Sequence, residues 1–262
     1  MNQRLYQVDA FAEKVFSGNP AAVCPLSEWP SDHVMQNIAM ENNLAETAFY
    51  VKSGDQYEIR WFTPAVEVDL CGHATLAAAF VLFNHENHEG DEIQFFSHRS
   101  GRLAVTRKGD LLTLNFPSDT IKEIAVSEDI KRGFDKEPKQ AFKGKTDYLL
   151  VFETESDITS LKPNFPEIKK MPARGVIITA KGDEVDFVSR FFGPQVGIDE
   201  DPVTGSAHTT LIPYWAERLN KQELKAVQLS TRRGYLQCRH LGDRVEISGK
   251  GKLYLAGEIF IE

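Results

Sequence analysis

The residues of this chain with the most specific chemistry are a carboxylate, a thiol, an imidazole and two helix starts led by glycine. Glu46 lies in Glu41-Asn42-Asn43-Leu44-Ala45-Glu46-Thr47-Ala48-Phe49 and leads directly into an apolar strand. A carboxylate flanked by Leu44, Ala45, Ala48 and Phe49 is expected to be partly desolvated. Desolvation raises its pKa toward the range useful for proton transfer; the plain alternative is a strand-edge glutamate facing water. Cys71-Gly72-His73-Ala74 and Thr204-Gly205-Ser206-Ala207 each read as the start of a helix. A helix N-terminus offers free backbone N–H groups and the positive end of its dipole, which suits a carboxylate. Two of them can hold an anionic substrate without an arginine; otherwise Gly72 and Gly205 serve only tight helix–strand packing. Cys71, at a helix N-terminus, is expected to have a lowered thiol pKa and to be available as base or nucleophile. Its counterpart is Thr204, so a racemase with a thiol on each face of the substrate carbon lacks half its machinery here. Asp201 reads as a cap or as a site carboxylate, and His73 as a site imidazole or a packed core histidine.

The two helix starts belong to a longer self-similarity. Phe62, Pro64, Val66 and Val68 are answered by Phe192, Pro194, Val196 and Ile198, each 130 positions later. Cys71-Gly72-His73-Ala74 is answered 133 positions later by Thr204-Gly205-Ser206-Ala207. The offset of 133 also carries Gly101, Leu103 and Val105 onto Gly234, Leu236 and Cys238, and Gly109-Asp110 onto Gly242-Asp243. The implied organisation is two similar halves, 1–118 and 119–262, with a boundary near the polar segment Ser118–Glu123 and a last strand able to cross to the first half. If the halves pack about a pseudo-twofold axis, both helix starts line one cleft between them. The three residues gained by the second half fall in Asp199-Glu200-Asp201-Pro202, just before its helix.

Each half reads as strands, a helix and a hairpin. Tyr57–Phe62 alternates as a strand. Gly72 opens a nearly all-apolar helix to about Phe83, expected to be buried and central. Gly101–Thr106 and Leu111–Leu114 flank a turn at Lys108-Gly109-Asp110. In the second half the strand is Phe187–Phe192 and the helix runs from Ser206 to about Leu219. The hairpin is Tyr235–Arg239 with Arg244–Ser248 around Gly242-Asp243. A further helix near Ser31–Met40, with Ser31 as N-cap, belongs to the first half only.

The bulk properties limit the partners. The 262 residues carry a net charge of -8, with 42% hydrophobic and 26% charged residues, as in a globular protein with a real core. The mixed charges argue against nucleic acid or an anionic membrane as main partner. The N-terminus lacks the apolar stretch of a signal peptide, and no run approaches the roughly 18 apolar residues of a membrane span. Three distant cysteines, Cys24, Cys71 and Cys238, fit neither a disulfide framework nor a zinc site, and a reducing cytoplasm is the expected location.

Asp9-Ala10-Phe11, Gly18-Asn19-Pro20-Ala21-Ala22-Val23, Asn43-Leu44-Ala45-Glu46-Thr47, Leu70-Cys71-Gly72-His73-Ala74-Thr75 and Glu200-Asp201-Pro202-Val203-Thr204-Gly205-Ser206-Ala207 appear in this order along the whole chain. Together they resemble the PhzF-like (phenazine-biosynthesis) branch of the diaminopimelate-epimerase and proline-racemase superfamily. The resemblance implies a duplicated α/β (α+β) fold of the diaminopimelate-epimerase type, each half a curved mixed sheet around a central helix, and a homodimer. It makes Glu46 the proton-shuttling carboxylate. It makes His73, Asp201 and Ser206 polar residues of the substrate site, and Gly72 and Gly205 its helix-start glycines, with no metal and no organic cofactor. The implied activity is a cofactor-independent isomerase that moves a proton within a small carboxylate-bearing substrate bound between the halves. Two other readings accompany it. One is a racemase or epimerase using Cys71 with a non-thiol partner; the other is a catalytically silent binding or interaction protein on the same scaffold.

Overall fold

A computed structural model describes residues 2–261. Chain order begins β1 (Asn2–Ala10), β2 (Asn19–Leu26), α1 (Asp32–Asn42), β3 (Glu46–Ser53), β4 (Gln56–Phe62), β5 (Glu67–Val68), α2 (Gly72–His85), β6 (Glu92–Ser97), β7 (Gly101–Lys108) and β8 (Leu111–Pro117). It continues through β9 (Lys122–Ile124), α3 (Glu128–Arg132), β10 (Gln140–Lys143), β11 (Asp147–Val151), α4 (Glu155–Ser160), α5 (Phe165–Ile168), β12 (Gly175–Lys181) and β13 (Phe187–Gly193). The last elements are β14 (Ile198–Asp201), α6 (Gly205–Leu219), β15 (Glu223–Gln228), β16 (Gly234–His240), β17 (Arg244–Gly249) and β18 (Gly251–Phe260). Residues 2–115 and 248–261 form one compact unit and residues 116–247 the other.

In the first unit β2 runs parallel to β3, β3 antiparallel to β4, and β4 both antiparallel to β5 and parallel to β6. β6, β7 and β8 then continue antiparallel. β1 joins β2 to the returning β18, pairing with it from Asn2↔Phe260 to Ala10↔Gly251 with one bulge at Gln7/Val8. On this mixed sheet lies α2, which packs against β1, β2, β3, β7 and β18. Its residues from His73 to Phe83 are buried save Phe80, as expected for a helix apolar on every side. α1 begins at Ser31, whose hydroxyl accepts from the Val34 N–H, and ends at Asn43 in the left-handed conformation (φ 49°), which turns the chain toward β3.

The second unit repeats the same order of pairings. β11 is parallel to β12, β12 antiparallel to β13, and β13 antiparallel to β14 and parallel to β15, which is antiparallel to β16. The matched positions extend to side chains. Arg60 makes a two-pronged ion pair with Glu67 (2.8 and 2.9 Å) and its guanidinium covers Phe62. Arg190 does the same with Glu200 (2.7 and 2.9 Å) and covers Phe192. Leu150, Phe152, Ile158, Val176, Ile178 and Phe192 share one core cluster, which α3, α4 and α5 help to close. On the other side Trp215 of α6 stacks on Phe187, their planes 3° apart, and donates its indole N–H to Thr179.

Candidate active site

Three backbone segments of the first unit deliver one polar cluster. Gly18 lies in the left-handed region (φ 68°), and a side chain there would collide with the Ala10 carbonyl oxygen, so only glycine lets the chain turn from β1 into Asn19. Asn19 opens β2, and Glu46 opens the parallel β3 opposite Ala21. Cys71 is the N-cap residue of α2, extended in backbone (φ -140°, ψ 109°) and without a side-chain cap bond, and His73 follows in the first turn. Their side chains meet in a largely dry space. Glu46 Oε2 lies 3.2 Å from His73 Nε2, with the two side chains 13% and 7% exposed. The contact is an ion pair rather than an aligned hydrogen bond, and Oε2 is otherwise sealed from solvent. Cys71 Sγ is 3.5 Å from His73 Nδ1 and 4.0 Å from Nε2. The Asn19 side-chain amide is 3.3 Å from Nδ1.

The electrostatics correct two expectations. Burial pushes the Glu46 carboxyl upward, yet the charge of His73, aided by Cys71, outweighs it and holds Glu46 below the usual carboxylate range. Burial likewise disfavours the His73 imidazolium, but Cys71 and Glu46 overcome it and keep the ring protonated well above its ordinary pKa. Glu46 is therefore held ionised rather than kept neutral by desolvation. Cys71 is the second correction. Burial first, and the Glu46 charge next, push its thiol up, against a smaller opposing pull from His73. The Ala74 N–H of the helix start pulls in the same direction as His73, but burial, which withholds the water that would solvate a thiolate, and the Glu46 charge outweigh both.

The second unit builds a different arrangement at its helix start. Thr204 is the N-cap residue of α6, and its hydroxyl donates to Asp201 Oδ2 (2.6 Å) instead of capping the helix. Gln228, wholly buried at the end of β15, ties down the N-cap residue itself. Its Oε1 accepts the Thr204 N–H (2.9 Å), while its Nε2 donates to the Asp201 carbonyl (2.8 Å) and to Thr204 Oγ1 (3.2 Å). His208 Nδ1 lies 2.8 Å from the Thr204 carbonyl. Burial brings the His208 pKa down to about 4, so the ring is neutral and Nδ1–H is the donor. Asp201 is thus bound to the helix entrance without being its cap, and Gly205 opens the helix proper. Ser206 is exposed on the first turn, where its carbonyl accepts from the Thr209 hydroxyl (2.7 Å).

The structure thus brings Glu46, His73 and the flanking Gly72 together in one unit, and Asp201, Gly205 and Ser206 together in the other. Asn19, Gln228 and His208 were not among the candidate residues. Asn19 had a usable signal, since it sits inside Gly18-Asn19-Pro20; Gln228 had none. A cleft of about 770 Å³ lined by Asp119, Phe142, Tyr214, Glu217 and Arg218 lies along the later turns of α6 and contains none of these groups. Within it Arg218 is already bonded to Gln140 and Asp119 to Thr210, which leaves no converging acid–base pair.

Comparisons agree with this fold. The family model described as phenazine biosynthesis-like protein (PhzC-PhzF) matches residues 8–257. A relative from Pseudomonas aeruginosa, named an uncharacterized isomerase, is 49% identical over 100% of both chains. The crystal structure of a phenazine biosynthesis protein of the PhzF family from Enterococcus faecalis is 48% identical, covers 100% of both chains and superposes with a TM-score of 0.97. A probable proline racemase from Agrobacterium radiobacter is only 8% identical, yet matches 99% of this chain and 93% of its own with a TM-score of 0.69, a likeness of fold alone. With the family model spanning nearly the whole chain and relatives of this identity along its full length, the protein belongs to the phenazine biosynthesis-like (PhzF) family, an isomerase on an epimerase- and racemase-type α/β fold.

Proposed function

We propose that this isomerase moves a proton within a small carboxylate-bearing molecule, with Glu46 removing and returning it. The observation that carries the reading is the buried Glu46–His73 ion pair at 3.2 Å beside the start of α2. A carboxylate kept ionised in a dry site is a base from the outset, and the water it lacks cannot compete for the proton it takes. His73 stabilises the anion before the transfer. When Glu46 becomes neutral the imidazolium loses its counter-charge, which favours return of the proton to the substrate. The free N–H groups that open α2 at Gly72 are read as a carboxylate site in the first unit, and Gly205, Asp201 and Ser206 as the candidate polar groups of the second. In this reading neither a metal nor an organic cofactor takes part in turnover, and the working form is a homodimer in the cytoplasm.

A Cys71-dependent racemase fits less well. Its thiol is pushed up rather than down, and Thr204 stands where a second thiol would be. The test is solvent-deuterium exchange. Small carboxylic acids, including hydroxyanthranilate-like aromatics and common amino acids, are incubated in deuterated buffer and followed by mass spectrometry and NMR. Incorporation at one carbon-bound position by the wild type but not by Glu46→Gln is expected. Full incorporation by Glu46→Gln would remove the assignment.

A further inference from the structure

We propose that Glu46, Cys71 and His73 also form a site for a single soft divalent cation of the Zn2+ type, and that its binding silences the isomerase by occupying Glu46. The site stands on geometry; the silencing rests on the reading of Glu46 as the proton-transfer residue.

One oxygen, one nitrogen and one sulfur donor from these side chains all lie within 4.8 Å of one another. Glu46 Oε2 and His73 Nε2 are 3.2 Å apart, and Cys71 Sγ is 4.0 Å from the same nitrogen. Four-coordinate zinc with bonds of about 2.0–2.3 Å holds its donors roughly 3.3–3.6 Å apart. Two of the three separations therefore lie within about half an ångström of that spacing before any ligand arrives, and the third is within 4.8 Å. Cys71 and His73 are two residues apart on one helix start, and Glu46 opens the neighbouring strand, so the backbone fixes all three.

The donor set selects the ion. Thiolate, imidazole and carboxylate together suit Zn2+ or Co2+, whereas Mg2+ and Ca2+ take oxygen ligands. The Asn19 amide nitrogen lies 3.3 Å from the other ring nitrogen, Nδ1, and turning the amide over puts its oxygen there to accept the Nδ1–H of a metal-bound imidazole. Charge also balances. Binding Zn2+ releases the Cys71 thiol proton and one ring proton of His73 to solvent, so two positive charges enter as two leave. The resulting complex is neutral, and the positive end of the α2 dipole does not oppose it. Three protein ligands leave a fourth position open, and the carboxylate oxygen that would take a substrate proton is bound to metal.

The test uses the full chain stripped with chelator and titrated with Co2+, then Zn2+, under anaerobic conditions. One Co2+ per chain, an intense near-ultraviolet thiolate-to-cobalt charge-transfer band, and loss of that band on adding one equivalent of Zn2+ are expected. Cys71→Ser should abolish the band, and Glu46→Gln should weaken binding at least tenfold, with circular dichroism verifying the fold of both. Should Cys71→Ser fail to fold, peptide mapping of the wild type decides instead: Zn2+ should protect Cys71 from alkylation and leave Cys24 and Cys238 unaffected. The absence of the band, its persistence in Cys71→Ser, or equal alkylation of Cys71 with and without Zn2+ would overturn the site. Zn2+ bound at Cys71 without effect on a Glu46-dependent exchange reaction would overturn the silencing. If no Glu46-dependent exchange is found for any acid, the isomerase reading fails and the silencing with it, while the spectrum still decides the site.

Discussion

A glutamate taken out of water ordinarily keeps its proton, because an uncompensated carboxylate in a low-dielectric site costs several kcal/mol. Glu46 escapes this through His73, 3.2 Å away, and the same pairing keeps the ring protonated. Glu46→Gln preserves the volume and removes the base, so exchange into a substrate should fall by about 10²–10⁴-fold while the circular-dichroism spectrum is retained. A smaller loss measured by mass spectrometry would mean that another group carries the proton. His208 makes a separate prediction about acid. Its folded pKa is brought down to about 4, below the roughly 6.5 of an unfolded chain. Between these values the unfolded state holds the extra proton. Stability should therefore fall with falling pH by about 1.4 kcal/mol per unit from pH 6.5 toward 4, and be unaffected by this group above that window. Urea melts of wild type and His208→Asn across this range check it, since the substituted protein should lose that part of the slope.

Elements position these groups through their ends. α1 ends in the left-handed Asn43 and releases the chain so that Glu46 begins β3; α2 begins at Cys71 without a side-chain cap; α6 begins under Gln228. These ends differ in what holds them, and substitutions should cost accordingly. Ser31→Ala removes an exposed cap of α1 and should cost about 1 kcal/mol. Gln228→Leu removes three hydrogen bonds and leaves the Thr204 N–H in a buried place without its acceptor, which should cost about 1–3 kcal/mol from the orphaned donor alone. Chemical denaturation of both variants measures the difference. Equal stability of Gln228→Leu and wild type would show that water replaces the amide. The three short helices between Glu128 and Ile168 escaped the reading of periodicity because five, six and four residues are too few to display it.

At the scale of the molecule the chain leaves the first unit at Asn115 and returns to it from Ser248. The final segment, from Ser248 onward, groups with the first unit. β18 pairs with β1 along nearly its whole length, so the first unit's sheet is not complete until the last residues are made. Amides of β18 should therefore share the hydrogen-exchange protection of β1, and deletion of residues 251–262 should leave β1 with an open edge and the protein insoluble. Fast exchange across β18 with slow exchange in β1 would contradict this. Among the described residues no helix is long and apolar enough to cross a membrane.

What the sequence determined by itself is whatever local pattern encodes. Ser31 announced a helix, Gly72 and Gly205 opened two more, and Gly109 and Gly242 turned two hairpins, because capping, apolar periodicity and positive φ act over a few residues. The spacing of 130 and then 133 positions is a pattern of the sequence itself; in the structure the two units have the same order of strand pairings and the Arg60–Glu67 and Arg190–Glu200 ion pairs. Tertiary structure alone decided which way the titrations run. Flanking apolar residues pointed to a Glu46 raised by burial, and a helix start pointed to a lowered Cys71; both directions reverse because the groups face each other and His73 in one dry space. Local composition shows neither the depth at which the Cys71 thiol is buried nor the charge that packing sets against Glu46, and these decide the two directions.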